Sequence, residues 1–191
     1  MRRVLVCAAI AIVAGTALTG CVPAVIAVGA GGTALVATDR RTTGTQVDDE
    51  GIELKVAQQA NAQYGDRIHL NVTSYNGVVL LTGEVPDQGV WASLGNLAKT
   101  TDKVRAVQNE LVVAPNADLS ARTNDTYITS KVKTRMIEAN KFPPNAVKVV
   151  TERAVVYLLG IVTRPEGDAA GEIAATTSDV VRVVKVFEYR A

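Results

Sequence analysis

Histidine and cysteine are nearly missing from this sequence. Its 191 residues hold one histidine, His69, and two cysteines, Cys7 and Cys21. No cysteine follows Cys21, so no internal disulfide can form downstream and folding there rests on apolar cores alone. A lone histidine without a surrounding motif supports neither a metal site nor a Ser-His-Asp set. Neither sign of charge is in excess. There are 20 basic and 19 acidic residues, and losing Arg2 and Arg3 with the first twenty residues leaves 18 against 19, a net −1. That balance excludes a global nucleic-acid polycation. The glycine-rich "GAGG" at 29–32 lacks both the lysine and the strand-turn-helix setting of a phosphate loop. The expectation is a non-enzyme, with no catalytic residue, no metal and no cofactor.

The N-terminus is rich in what the rest lacks. Met1-Arg2-Arg3 lead into an apolar or small run from Val4 to Leu18. A basic start, a short apolar core and a small-residue exit describe a secretory signal peptide, and the run falls short of the roughly 20 residues that a membrane-spanning helix needs. Leu18-Thr19-Gly20-Cys21 resembles the bacterial lipobox. The resemblance implies cleavage before Cys21, acylation of that cysteine and loss of Cys7 with residues 1–20. Buried acyl chains gain about 0.8 kcal/mol per methylene, and several together anchor a protein stably. Val22, where an Asp could stand, resembles a sorting signal for the outer membrane. Residues 22–38, apolar with Gly29, Gly31 and Gly32, read as a flexible tether. "DRRTTGTQVDDE", residues 39–50, reads as a polar lead into the first folded unit.

The remainder repeats at a period of about 76 residues. "IELKV" at 52–56 corresponds to "ITSKV" at 128–132, and "GVVLLTGEV" at 77–85 to "AVVYLLGIV" at 154–162, aligning Gly83 with Gly160. "TTDKVRAV" at 100–107 corresponds to "TTSDVVRV" at 176–183. Each copy reads helix, strand, strand, helix, strand. The first copy predicts helices at about 49–63 and 87–101 and strands at about 68–73, 78–85 and 107–113. The second predicts helices at 124–139 and 165–177 and strands at 146–151, 154–162 and 182–189. Asp48 or Asp49, and Asn124 or Asp125, are the expected helix N-caps. Ile68, Leu70 and Val72 alternate with His69, Asn71 and Thr73, which puts His69 on the outer, solvent-facing side of a half-buried sheet. "YNG" at 75–77 reads as a hairpin turn. Trp91 reads as partly buried, in the core or between domains. Two small α+β domains follow, each α-β-β-α-β with a three-stranded mixed sheet on two helices. The bounds are 1–20 signal peptide, 21–45 acylated cysteine and flexible linker, 46–115 first domain and 116–191 second domain.

These motifs resemble the BON domain. The first copy carries a G-x-V-x-L-x-G-x-V run, Gly77 to Val85, and "VRAVQNEL" at 104–111, similar to the family's Val-x-x-Val-x-Asn-x-Leu signature. The second copy departs, with Ala154 in place of the first glycine and no asparagine at 183–185. A lipobox followed by two such domains resembles the dual-BON outer-membrane lipoproteins. That resemblance implies a periplasm-facing, lipid-anchored protein of the outer membrane that supports envelope integrity, binds anionic phospholipid and acts at the division site. The expected partners are an anionic phospholipid membrane and periplasmic or outer-membrane proteins; the charge balance argues against nucleic acid, and a monomer is expected.

Charge separates the two copies. Residues 46–115 carry 5 basic and 9 acidic side chains, a net −4, and residues 116–191 carry 11 and 9, a net +2. An anionic surface should meet the second. On a helical wheel, Ile128, Val132, Met136 and Ala139 form the core stripe. Tyr127, Ser130, Thr134 and Ile137 lie opposite, with Lys131 and Lys133 at the edges. A tyrosine among lysines suits the headgroup layer. The family's lipid-binding helix is the first of its second domain, and Tyr127 falls where that helix carries an aromatic. These six residues are the expected phospholipid contact and Cys21 the lipid attachment point. The second reading is a periplasmic scaffold for a protein partner, such as a regulator of cell-wall remodelling, using sheet edges or the groove between domains.

Overall fold

The computed structural model describes residues 39–191. The expected signal peptide, the Cys21 attachment point and the tether at 22–38 lie outside the described residues. The first domain runs α1 (Thr43–Tyr64), β1 (His69–Tyr75), β2 (Val78–Val85), α2 (Gln88–Thr100), β3 (Ala106–Asn109) and β4 (Val112–Val113). The second runs α3 (Leu119–Ala139), β5 (Lys148–Glu152), β6 (Val155–Val162), α4 (Arg164–Ala175) and β7 (Arg182–Tyr189). In each, an antiparallel hairpin pairs its second strand in parallel with the last strand, as the α-β-β-α-β reading requires.

Helices start where a side chain can satisfy the free N–H groups of the first turn. Thr42 accepts from the Thr45 N–H, and Asp118 from that of Ala121. Both helices therefore begin five or six residues before the sequence expectation, at 43 and not 49, and at 119 and not 124. Asp49 and Asp125 are not caps. Each reaches from its helix to the hairpin turn of its own domain. Asp49 accepts from the Asn76 N–H at 2.7 Å, the Gly77 N–H at 2.8 Å and the Ser74 hydroxyl at 2.6 Å. Asp125 accepts from the Arg153 and Ala154 N–H groups, both at 2.8 Å.

Both turns need two residues with positive φ, as a two-residue I′ connection does. Asn76 and Gly77 meet this easily, at φ 53° and 73°, while Arg153 and Ala154 are held at 53° and 58°. An L-residue in the left-handed region costs roughly 1–2 kcal/mol, and Ala154 also leaves its methyl partly packed on the core. Ala154→Gly should therefore stabilise the second domain by a net of about 0.5–1 kcal/mol. Urea unfolding would show this as a raised midpoint with an unchanged slope.

The last strand of the first domain is broken between Asn109 and Val112. Leu111 turns into the core there, and its carbonyl accepts the Trp91 indole N–H at 3.1 Å. The Asn109 amide donates to the Trp91 carbonyl at 3.0 Å, fixing α2 over the break. Trp91 thus packs, half-buried, on the first domain's own core. On α3, Ile128, Val132 and Met136 are buried as expected, whereas Ala139 is exposed at the helix end.

Each domain has its own helix-on-sheet core, built around Val56, Val79, Leu81 and Leu94 in the first and Val132, Val156, Leu158 and Ala170 in the second. A third core lies between them. Tyr75 and Leu80 from the first sheet pack with Tyr157 and Leu159 from the second, so the sheet faces turned away from the helices cover each other. Fully burying a large apolar side chain gains roughly 1.5–3 kcal/mol, so these four residues bind the two sheets appreciably. This overturns the placement of His69. It lies opposite Ile68 and Leu70 as the alternation requires, but the outer face of its sheet meets the second domain, and its side chain is only 14% exposed.

The expected linker at 39–45 is also ordered. The Arg40 guanidinium donates to both carboxylate oxygens of Glu166, at 2.7 and 2.6 Å, and to the Ile161 carbonyl at 2.7 Å. That hydrogen bond holds the Glu166 carboxyl down at about 2. A depressed carboxylate stabilises the fold above its ordinary pKa and loses that contribution only as pH falls toward its folded value, so this clasp is intact at neutral pH. Arg41 lies 4.1 Å over the Tyr75 ring and donates to Asp39 and Asp49. The two arginines tie the chain's entry to both domains.

Candidate membrane interface

A surface groove runs along the outer face of α3. It encloses about 590 Å³ between α3 and the loop after α4, lined by Tyr127, Ser130, Lys131, Thr134 and Arg135 on one side and Thr176, Thr177 and Ser178 on the other. Positions 127, 130, 131 and 134 share this side because residues three and four apart stack on one helical face. Tyr127 is 60% exposed and Ile137 59%. Four of the six expected contact residues line the groove. Lys133 and Ile137 stand exposed but outside it, on the flank of the stripe away from the loop.

The basic groups differ in how free they are. Lys131 forms an ion pair with Asp179, donates to the Ser178 carbonyl and hydroxyl at 2.9 Å, and sits 4.7 Å from the centre of the Tyr127 ring. Its charge is largely neutralised by its neighbour. Lys133 makes no ion pair among the described residues, and its exposed ammonium faces solvent. Arg135 was not among the expected contacts. Its guanidinium donates to the Ile173 carbonyl at 3.1 Å and to the hydroxyls of Thr177 at 2.7 Å and Thr176 at 3.2 Å. A cation here meets the negative end of the α4 dipole. No carboxylate pairs with it among the described residues, so the groove wall keeps a net positive charge. The sequence signal was its spacing, four residues after Lys131. What could not be read was the loop at 176–178 folding back to form the opposite wall.

The arrangement offers an exposed aromatic and an isoleucine, hydroxyls at hydrogen-bonding depth, and two cations without carboxylate partners. It presents no nucleophile-base pair. A guanidinium and an ammonium of this kind can attract anionic oxygens, and an exposed tyrosine ring suits a boundary between apolar and wet surroundings.

A sequence profile of the BON domain matches the chain twice, over residues 48–115 and 124–191. The chain is 44% identical over 174 residues to the outer membrane lipoprotein DolP of Haemophilus influenzae, covering 90% of both proteins. It is 35% identical over 153 residues to a 21 kDa hemolysin of Actinobacillus pleuropneumoniae, covering 79% of each. Its identity to the osmotically-inducible protein Y of Escherichia coli is 29% over 145 residues, covering 74% of this chain and 72% of that one.

Proposed function

The chain belongs to the BON-domain family, and from that premise we propose that its second domain binds anionic phospholipid through the outer face of α3. It is an outer-membrane lipoprotein with a role in the cell envelope, anchored by lipid at the periplasmic face. No helix among the described residues is long and apolar enough to cross a membrane. BON domains are binding modules, and the proposal needs no catalysis. Cys21 is the proposed point of acylation.

The observation that carries the reading is the exposure of Tyr127 and Ile137 on a helix face flanked by the unpaired Lys133 and by Arg135. Each basic side chain near an anionic leaflet contributes on the order of 1 kcal/mol. The acyl anchor raises the effective concentration, so weak contact is enough. Enrichment at the division site belongs to the same proposal, as the consequence of docking where anionic lipid is concentrated. A fluorescent fusion carrying Tyr127→Ala should then spread evenly along the envelope.

The test is sedimentation of the mature, acyl-less chain (Cys21→Ser) with phosphatidylglycerol or phosphatidylcholine vesicles. Lys133→Glu reverses one charge and should weaken binding to the anionic vesicles by roughly 30-fold. Tyr127→Ala should also weaken it. Lys131→Ala should matter less than Lys133→Ala, because Asp179 already neutralises Lys131. Raising salt should release the protein. Equal binding to both vesicle types, or full binding by Tyr127→Ala and Lys133→Glu, would sink the proposal.

The scaffold reading has one observation in its favour. The short strand β4 leaves Val112 and Val113 exposed, at 41% and 48%. An exposed apolar edge can accept an added strand from a partner protein.

A further inference from the structure

The chain's one histidine does not face solvent. It meets two buried carboxylates where the two sheets face each other. His69 Nδ1 lies 2.9 Å from Glu84 Oε2 and 3.9 Å from Glu152 Oε1, and the three ligand atoms all fall within 4.8 Å of one another. His69 and Glu84 belong to neighbouring strands of the first domain, paired in register. Glu152 closes β5 of the second. No pattern in the sequence links them, because the third ligand arrives from the other domain.

We propose that His69, Glu84 and Glu152 form a zinc site that staples the two domains together. An imidazole and two carboxylates suit zinc, whose bonds to nitrogen and oxygen are about 2.0–2.2 Å. Tetrahedral ligands at such lengths stand about 3.3 Å apart. The observed separations bracket that figure, so side-chain shifts of less than about 1 Å would form the site. Water would complete it from a neighbouring cleft of about 350 Å³, lined by His69, Asn71, Arg122, Asp125 and Glu152 among others.

Charge points the same way. The side chains of Glu84 and Glu152 are 0% and 6% exposed, and among the described residues the one ion pair to a full cation is that of Glu84 with Arg153 at 3.3 Å, beside the Ala117 N–H from which Glu84 also accepts. Asp125 spends its oxygens on backbone N–H groups. A divalent cation would offset the repulsion between carboxylates from two domains. Thr82 adds an independent sign. It lies on the same face of β2 as Glu84, in register with Asn71, and its buried hydroxyl has no partner among the described residues. A buried polar atom of this kind calls for a partner, and a bound water or ion is one that would serve.

The test is calorimetric titration of the acyl-less full mature chain (Cys21→Ser), freed of metal, with zinc chloride alone. The expected result is one zinc per chain and a melting temperature that rises with zinc. His69→Ala and Glu152→Gln should each weaken binding at least tenfold and remove the rise. Far-UV circular dichroism of the metal-free variants checks that both remain folded, and His69→Gln provides a milder second variant. Cobalt(II) should give a visible absorption band that both substitutions abolish. No stoichiometric zinc binding, or zinc binding unchanged in folded His69→Gln and Glu152→Gln, overturns the proposal.

Discussion

Gly83→Ala is expected to cost the first domain at least about 3 kcal/mol, enough to unfold it in mild denaturant. Gly83 sits at φ 118°, and a Cβ there would lie 2.0 Å from the His69 carbonyl oxygen. Backbone held in such a region costs of order 1–3 kcal/mol for an L-residue. The clash adds to that, because the obstacle is backbone in a paired strand and cannot swing away. Gly160 holds the matching place in the second domain, with the Ala146 carbonyl oxygen 2.3 Å from its would-be Cβ. Gly160→Ala should also be costly, but less so, because φ there is not positive and the clash acts alone. Gly51, in the middle of α1, meets nothing within 4 Å. Gly51→Ala should stabilise by up to about 1 kcal/mol, since alanine favours a helix over glycine. Thermal melts of the three variants, followed by circular dichroism, separate a general dislike of substitution from this specific clash. Gly83→Ala melting with the unsubstituted protein would contradict the account.

The second large effect is expected at Asp49. It is 2% exposed, and its carboxylate takes the Ser74 hydroxyl, the Asn76 and Gly77 N–H groups and the Arg41 guanidinium. Burial alone would raise its pKa, but these donors together outweigh burial and hold it below the ordinary value. Removing one partner of a buried, hydrogen-bonded ion pair costs about 3–5 kcal/mol. Asp49→Ala should therefore lower the melting temperature by roughly 10 °C or more. Asp49→Asn keeps one acceptor oxygen and should cost less. Asp125→Ala loses two backbone hydrogen bonds without an arginine, and should fall between the two. The sign with pH follows from linkage. A carboxylate with a depressed folded pKa stabilises above its unfolded value of 3.8 and loses this as pH falls below it. The gap between Asp49→Asn and the unsubstituted protein should therefore close in acid. A gap that does not narrow as pH falls below 3.8 would remove the charge from the explanation.

Much of the architecture was legible because it is local and occurs twice. The alternation at 68–73 separated two faces correctly, and the two nine-residue β runs placed β2 and β6 within a residue of their ends. Aligning Gly83 with Gly160 singled out positions whose shared reason is close approach of a backbone carbonyl, from His69 in β1 and from Ala146 in the turn before β5. The misreadings share one cause. Asp49 and Asp125 have the composition of caps, yet each bonds a turn more than twenty residues away. Local spacing carries no sign of that reach. Alternation tells which face the His69 side chain takes, not what covers that face, so by sequence it points to solvent. Arg40 and Arg41 stand in a polar linker by sequence, yet they pair with Glu166 and Asp49. At the candidate interface the stripe of Tyr127, Ser130 and Thr134 followed from helical spacing alone. The reduced freedom of Lys131 and the contribution of Arg135 did not, because both depend on the loop at 176–179.

The most direct test of membrane recognition is a pair of NMR titrations of the acyl-less mature chain, one with phosphatidylglycerol micelles and one with phosphatidylcholine. The account predicts backbone shifts that grow with the anionic lipid alone and cluster at 127–137 and 176–178. Shifts of equal size in both titrations, or a cluster confined to the first domain, would contradict it.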